Sequence, residues 1–164
     1  MTRKAVQDTY DETLSYCYGC GRLNEDGLQI KSFWDDEQEE STCSYEPRPG
    51  HIALPGYVYG GLIASLIDCH GTGTAAAAAY RDQGREIGSE PKLRFVTGSL
   101  HVDYLRPTPI GPLELRGKVA EIKGRKVVVD IDLSAAGKVC AKGRVVAVQA
   151  PEKLIEEVTS KAGA

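Results

Sequence analysis

Between residues 60 and 80 the apolar side chains recur at helical spacing. Leu62, Ile63, Leu66 and Ile67 set the repeat, and the alanines at 75 to 79 carry it on to Tyr80. A repeat near 3.6 residues and a run of alanine, the strongest helix former, predict one long helix opened by Gly60 and Gly61. Its apolar positions reach round most of the circumference, as they should in a helix enclosed by other structure. Downstream the pattern turns to strands over 93–105, 113–122, 127–133 and 139–148. Turn residues separate them: Pro107 to Pro112, Lys123-Gly124-Arg125 and Ala136-Gly137-Lys138. Upstream, Leu28, Ile30 and Phe33 predict a strand running into the acidic patch 35–40. Residues 41–46 read as its hairpin partner, closed by Pro47 and Pro49.

Residues 1–16 are polar and read as a tail or short helix, and 151–164 as a frayed C-terminal helix. This leaves 17–150 as the domain. Two short strands, one long helix and four longer strands make an α+β fold with an antiparallel sheet. A closed barrel competes, but a single long helix favours a sheet wrapped around it.

Charge narrows the partners. Lys and Arg number 20 against 23 Asp and Glu, a net charge of −3, which argues against a nucleic-acid binder. No apolar run reaches the roughly 20 residues of a membrane span, and the N-terminus lacks the apolar core of a signal peptide. Five cysteines, an odd number, suit a reducing compartment, so the expected location is cytoplasmic.

The helix carries the candidate chemistry. Gly60 and Gly61 allow close backbone approach, and the free N–H groups of a helix start can bind an anion or an oxyanion. Asp68 lies mid-helix among small neighbours, with Ala64, Ser65, Gly71 and Thr72 three or four positions away and Gly61 seven, two turns back. A carboxylate in that stripe suits a general base or nucleophile; the alternative is a carboxylate satisfied by hydroxyls at a helix contact. Gly60 and Asp68 are eight residues apart, about 12 Å along a helix, too far to meet at one carbonyl carbon. Two copies of the helix lying antiparallel across a dimer axis would bring Gly60 of one chain to Asp68 of the other.

The stretch from His51 to Asp68, centred on Tyr59-Gly60-Gly61, resembles the core signature of hotdog-fold acyl-CoA thioesterases. The PaaI-like branch, with the THEM-type enzymes, is most similar. Its pattern is His-Gly-Gly, six variable positions, then Asp. Cys17-Tyr18-Gly19-Cys20-Gly21 with Asn24 and Gly27-Leu28, and Ser99 to Pro107, agree as well. The resemblance implies a hotdog fold, a dimer or dimer of dimers, and hydrolysis of acyl-CoA or acyl-carrier-protein thioesters without a cofactor. It places the oxyanion donor at Gly60, assisted by Gly61, the carboxylate at Asp68 and a positioning hydroxyl at Thr72. Ser65 joins them as a substrate contact. The motif His is replaced here by Tyr59, whose hydroxyl can stand in or whose presence marks altered catalysis. The second reading is therefore a non-catalytic acyl-CoA binding or regulatory protein.

For the nucleotide end of CoA, Arg106, Arg125 and Lys126 stand at strand ends where phosphates would be met. His51, before the Pro55-Gly56 turn, is a candidate for the acyl pocket. His70 lacks the spacing from Asp68 that a hydratase would use, and His101 reads as structural. Cys17 and Cys20 form a CxxC, but no second pair or paired His completes a metal set. The expectation is a turn packed near the helix and no metal.

Overall fold

A computed structural model of the chain describes residues 3–162. The helix predicted from Gly60 runs over Gly60–Asp82 (α1), preceded by two short strands and followed by four long ones. The strands are Phe33–Asp35 (β1), Glu40–Tyr45 (β2), Phe95–Tyr104 (β3), Leu113–Lys123 (β4), Lys126–Ala135 (β5) and Lys138–Gln149 (β6). An exposed helix, Glu152–Ala162 (α2), ends the described chain. The strands form one six-stranded sheet in the order β1-β2-β4-β5-β6-β3, every neighbouring pair antiparallel.

The sheet curls round α1, and almost everything on the helix beyond Ile67 is buried. Contact with β6 is close because glycines interlock there. A Cβ on Gly71 would stand 2.5 Å from Val145, and one on Gly143 would overlap Ile67. At the far end Tyr80 is buried, and its hydroxyl accepts the Leu93 amide at 2.8 Å. A polar knot crosses the core beside β2. His70 Nδ1 meets Ser32 Oγ at 2.8 Å and Nε2 meets Ser41 Oγ at 3.1 Å, so a neutral ring donates at one nitrogen and accepts at the other. Burial holds the His70 pKa down at about 4.

Two expectations change. Leu28 and Ile30 are buried but belong to no strand: their amides donate to the carbonyls of Tyr18 (2.7 Å) and Gly19 (3.0 Å), so a turn replaces the ladder. The segment before residue 17 forms short 3-10 turns at Val6–Thr9 and Glu12–Leu14. Ala5, Val6 and Tyr10 enter the core, and the Gln7 amide brackets Ser32 from both of its ends.

β3 lies at the sheet edge, and beyond Phe95 it is largely exposed, including the apolar side chains Val96, Leu100 and Tyr104. Its register against β6 slips between Thr97 and Ser99. This bulge at Gly98 switches the side of the strand facing the helix. Before it, Phe95 and Thr97 point inward. After it, Val102 packs on the core and Tyr104 reaches α1.

Candidate active site

Helix α1 starts without a side-chain cap. Tyr59 holds the N-cap position in extended conformation and makes no capping bond, where Ser or Asp would have consumed an amide. The Tyr59 carbonyl accepts the amides of Leu62 (3.1 Å) and Ile63 (3.4 Å). The N–H groups of Gly60 and Gly61 are left without an acceptor among the described residues. These two donors sit at the positive end of a helix of 23 residues, where a developing negative charge is favoured.

The preceding loop aims this end. Residues 51–59 fold back on themselves: the Tyr59 amide donates to the His51 carbonyl at 2.9 Å, and Ile52 bridges Val58. His51 is thus tied to the helix start through its main chain, while its Nδ1 accepts the Arg48 amide at 2.9 Å. Burial first, and the Arg48 cation second, lower its pKa. Two tyrosines flank the glycines. The Tyr59 ring lies over Gly61, so close that a Cβ there would overlap it. The Tyr104 hydroxyl donates to the Gly60 carbonyl at 2.7 Å, and its pKa is raised by burial and then by Tyr59. Beside Gly60 opens a cleft of about 400 Å³ whose lining includes Ile63, Leu105, Arg106 and Thr108. The Thr108 hydroxyl is buried without a partner among the described residues.

Asp68 lies two turns along, about 12 Å from Gly60 by helical rise. It is half-buried under the edge strand, and its carboxylate accepts a hydrogen bond from the Thr97 hydroxyl. Thr72, one turn further, is buried and donates to the Cys69 carbonyl at 3.2 Å. Ser65 donates to the Gly61 carbonyl at 2.9 Å. Tyr59, Gly60, Gly61 and Arg106 therefore gather at the helix start, and Asp68 stands apart with Thr97. Arg125 and Lys126 are elsewhere. The ladders set Lys126 opposite Val148 and Val148 opposite Val96, eight residues along β3 from Tyr104, or about 26 Å. There Arg125 donates to the Gln149 carbonyl at 2.7 Å and Lys126 pairs with Glu121 at 3.5 Å. His101 is exposed on β3, 3.1 Å from Asp103, so it is a surface residue and holds no core contact.

Thr97, Tyr104 and Thr108 are contacts that sequence reasoning did not assign. Thr97 and Tyr104 sit at odd and even positions of one strand, and only the bulge turns both to the helix. Its sole trace in the sequence is Gly98 inside a strand pattern.

The family model of the thioesterase superfamily matches residues 55–142, which span the helix, both halves of this site and most of the sheet. The chain belongs to the thioesterase superfamily. A crystal structure of a thioesterase superfamily protein from Shewanella loihica PV-4 is 48% identical. It aligns with a TM-score of 0.64 over 87% of this chain and 100% of that one. Acyl-coenzyme A thioesterase THEM4 of Xenopus laevis is 32% identical over 108 residues, 64% of this chain and 43% of that protein. The chain spans about half the length of the curated relatives it matches. The Escherichia coli PaaI protein of the phenylacetic acid degradation operon aligns with a TM-score of 0.59 over 76% of this chain and 81% of that one. At 17% identity that likeness speaks to the fold alone. The fold of this superfamily member is the hotdog: an antiparallel sheet wrapped round one long helix. No helix among the described residues is long and apolar enough to cross a membrane.

Proposed function

We propose that the protein hydrolyses acyl-CoA thioesters, or those of an acyl-carrier protein, at two equivalent sites shared between two copies of the chain. The observation that carries this reading is the division of the machinery on α1. The free amides of Gly60 and Gly61 and the half-buried carboxylate of Asp68 are about 12 Å apart. A single thioester carbon spans only about 3 Å to each reacting group. The exposed apolar edge strand β3 supports the assembly, since an unpaired edge is a template for a second chain. Antiparallel pairing of β3 with its copy sets Gly60 of one chain against Asp68 of the other. It also carries Arg125 and Lys126 of the second copy to the Arg106 end of the first, where CoA phosphates can be met.

In the reaction the thioester oxygen accepts the Gly60 and Gly61 amides as it gains charge. Asp68 of the second copy, oriented by Thr97, removes a proton from water as the water attacks, and that proton passes to the departing thiolate. Direct attack by the carboxylate, followed by hydrolysis of the anhydride, gives the same products. Thr72 stands one turn beyond Asp68 to assist the water, Ser65 and His51 hold the approach to the helix start, and no cofactor takes part. Five free cysteines support action in the cytoplasm. The names of the curated relatives support the substrate class.

A binding-only reading has one observation behind it, the Tyr59 ring folded over Gly61 in place of an imidazole. Steady release of free thiol from a panel of acyl-CoAs separates the two. Asp68→Asn is expected to keep the dimer and the fold and to lose turnover by about two orders of magnitude or more, the usual scale for a general base. Turnover at the wild-type rate in that variant removes Asp68 from the mechanism.

A further inference from the structure

Cys17, Cys20 and Cys69 bring their three sulfurs within 4.8 Å of one another. Cys17 and Cys20 form the CxxC of the N-terminal turn. Cys69, distant in sequence, is the residue after Asp68 on α1. The turn is built to lie over that sulfur. The Gly21 amide closes it on the Cys17 carbonyl at 2.7 Å. A Cβ on Gly19 would overlap the Cys69 sulfur, and a Cβ on Gly21 would stand 2.5 Å from the Cys17 backbone nitrogen. A side chain at Gly21 would have to move backbone, and one at Gly19 would have to displace the Cys69 sulfur.

The spacing has a coordination meaning. A tetrahedral ion with metal–sulfur bonds of about 2.3 Å separates its sulfurs by about 3.8 Å, and Cys17 Sγ lies 3.9 Å from Cys69 Sγ. A second observation concerns charge. Arg94 stacks 4.2 Å from the centre of the Tyr10 ring and lies beside Cys20. Its Nη1 is buried without a partner among the described residues. A buried cation needs an anion. Three thiolates around a divalent ion carry one net negative charge, and Arg94 balances it.

We propose that Cys17, Cys20 and Cys69 bind one zinc ion, which staples the N-terminal turn to helix α1. Cys17 is exposed, so the fourth position opens to water. Binding converts three thiols to thiolates and releases their protons to solvent. The zinc takes no part in the hydrolysis proposed above, and the inference stands whether or not the protein is a thioesterase.

The test is anaerobic titration of the reduced full chain with cobalt(II), followed by displacement with zinc. One equivalent of cobalt is expected to produce a thiolate-to-cobalt charge-transfer band that one equivalent of zinc abolishes. Zinc is expected to raise the Tm of the wild type. Cys17→Ser, at an exposed position, loses both the band and the Tm response while keeping the wild-type circular dichroism. Cys140→Ala, away from the cluster, retains both. The proposal is overturned if the reduced chain gives no such band. It is overturned equally if Cys17→Ser and Cys20→Ser both bind as the wild type does, or if mass spectrometry finds a disulfide among these cysteines and no metal after exposure to zinc in air.

Discussion

Removing the hydroxyl from Thr97 while keeping its shape tests whether Asp68 works as a held group. In Thr97→Val the β-branched side chain still suits the strand, but the only hydroxyl bonded to the Asp68 carboxylate among the described residues is gone. A hydrogen bond to a charged group contributes about 1.5–3 kcal/mol. Asp68 is half-exposed, so water replaces part of that contact and the lower end applies. If about 1.4 kcal/mol is lost from the transition state, kcat falls about tenfold. Thr97 lines no part of its own chain's cleft beside Gly60 and bonds the carboxylate, so KM is expected to stay within about twofold of the wild type. The position is exposed on the edge strand of the single chain, so the stability of the fold itself should move by no more than about 0.5 kcal/mol. The assay follows thiol release over a substrate series, beside Thr97→Ser, which restores the donor and is expected to recover most of kcat. Wild-type kcat in Thr97→Val, or an equal loss in both variants, would refute the positioning argument.

Stability is expected to fall as pH drops from 6.5 to about 4, because the unfolded chain takes up a proton that buried His70 refuses. The window is worth up to about 3 kcal/mol. Denaturant titrations across it should show the decline, and His70→Gln should lack it. In Gly143→Ala the new methyl overlaps Ile67 on a helix clamped by the sheet, so overpacking should cost about 1–3 kcal/mol. Thermal melts should then fall by about 3–10 °C. Leu100→Lys puts a charge on the apolar edge of β3 and is expected to yield a monomer without turnover although Asp68 is intact. Sedimentation and thiol release read the two effects, and an active monomer would sink the shared-site reading.

The helix, the four long strands and the α+β class were legible because their signals are periodic and local: apolar residues at 3.6 spacing, alanine in a run, glycine and proline between strands. The places of Gly60 at the helix start and Asp68 two turns along were legible too. The rest depends on relations between distant segments. Thr97 reaches Asp68 only through a bulge, Leu28 and Ile30 pair with turn carbonyls, and Arg125 stands away from Arg106 because the ladder register puts them at opposite ends of β3. The sulfur that the fold brings beside the CxxC belongs to Cys69, 49 positions beyond Cys20 and on a helix read for other work.

Four consecutive residues of α1 explain why these features sit so close together. Successive positions on a helix turn by about 100°, so 67 to 70 look in four directions. Ile67 presses on Gly143 of β6, Asp68 meets Thr97 of β3, Cys69 lies under the N-terminal turn, and His70 is held by Ser32 and Ser41. Gly71, one turn after Ile67, returns to β6 at Val145. Three of these contacts are tight packing or buried hydrogen bonds, and each resists rotation of the helix about its axis. The fourth, the carboxylate, is the one left half-exposed. Its direction is therefore fixed by the packing of its three neighbours, which suits a group proposed to act on a substrate held by another copy of the chain. Loosening any of the three should cost activity at Asp68 without touching it.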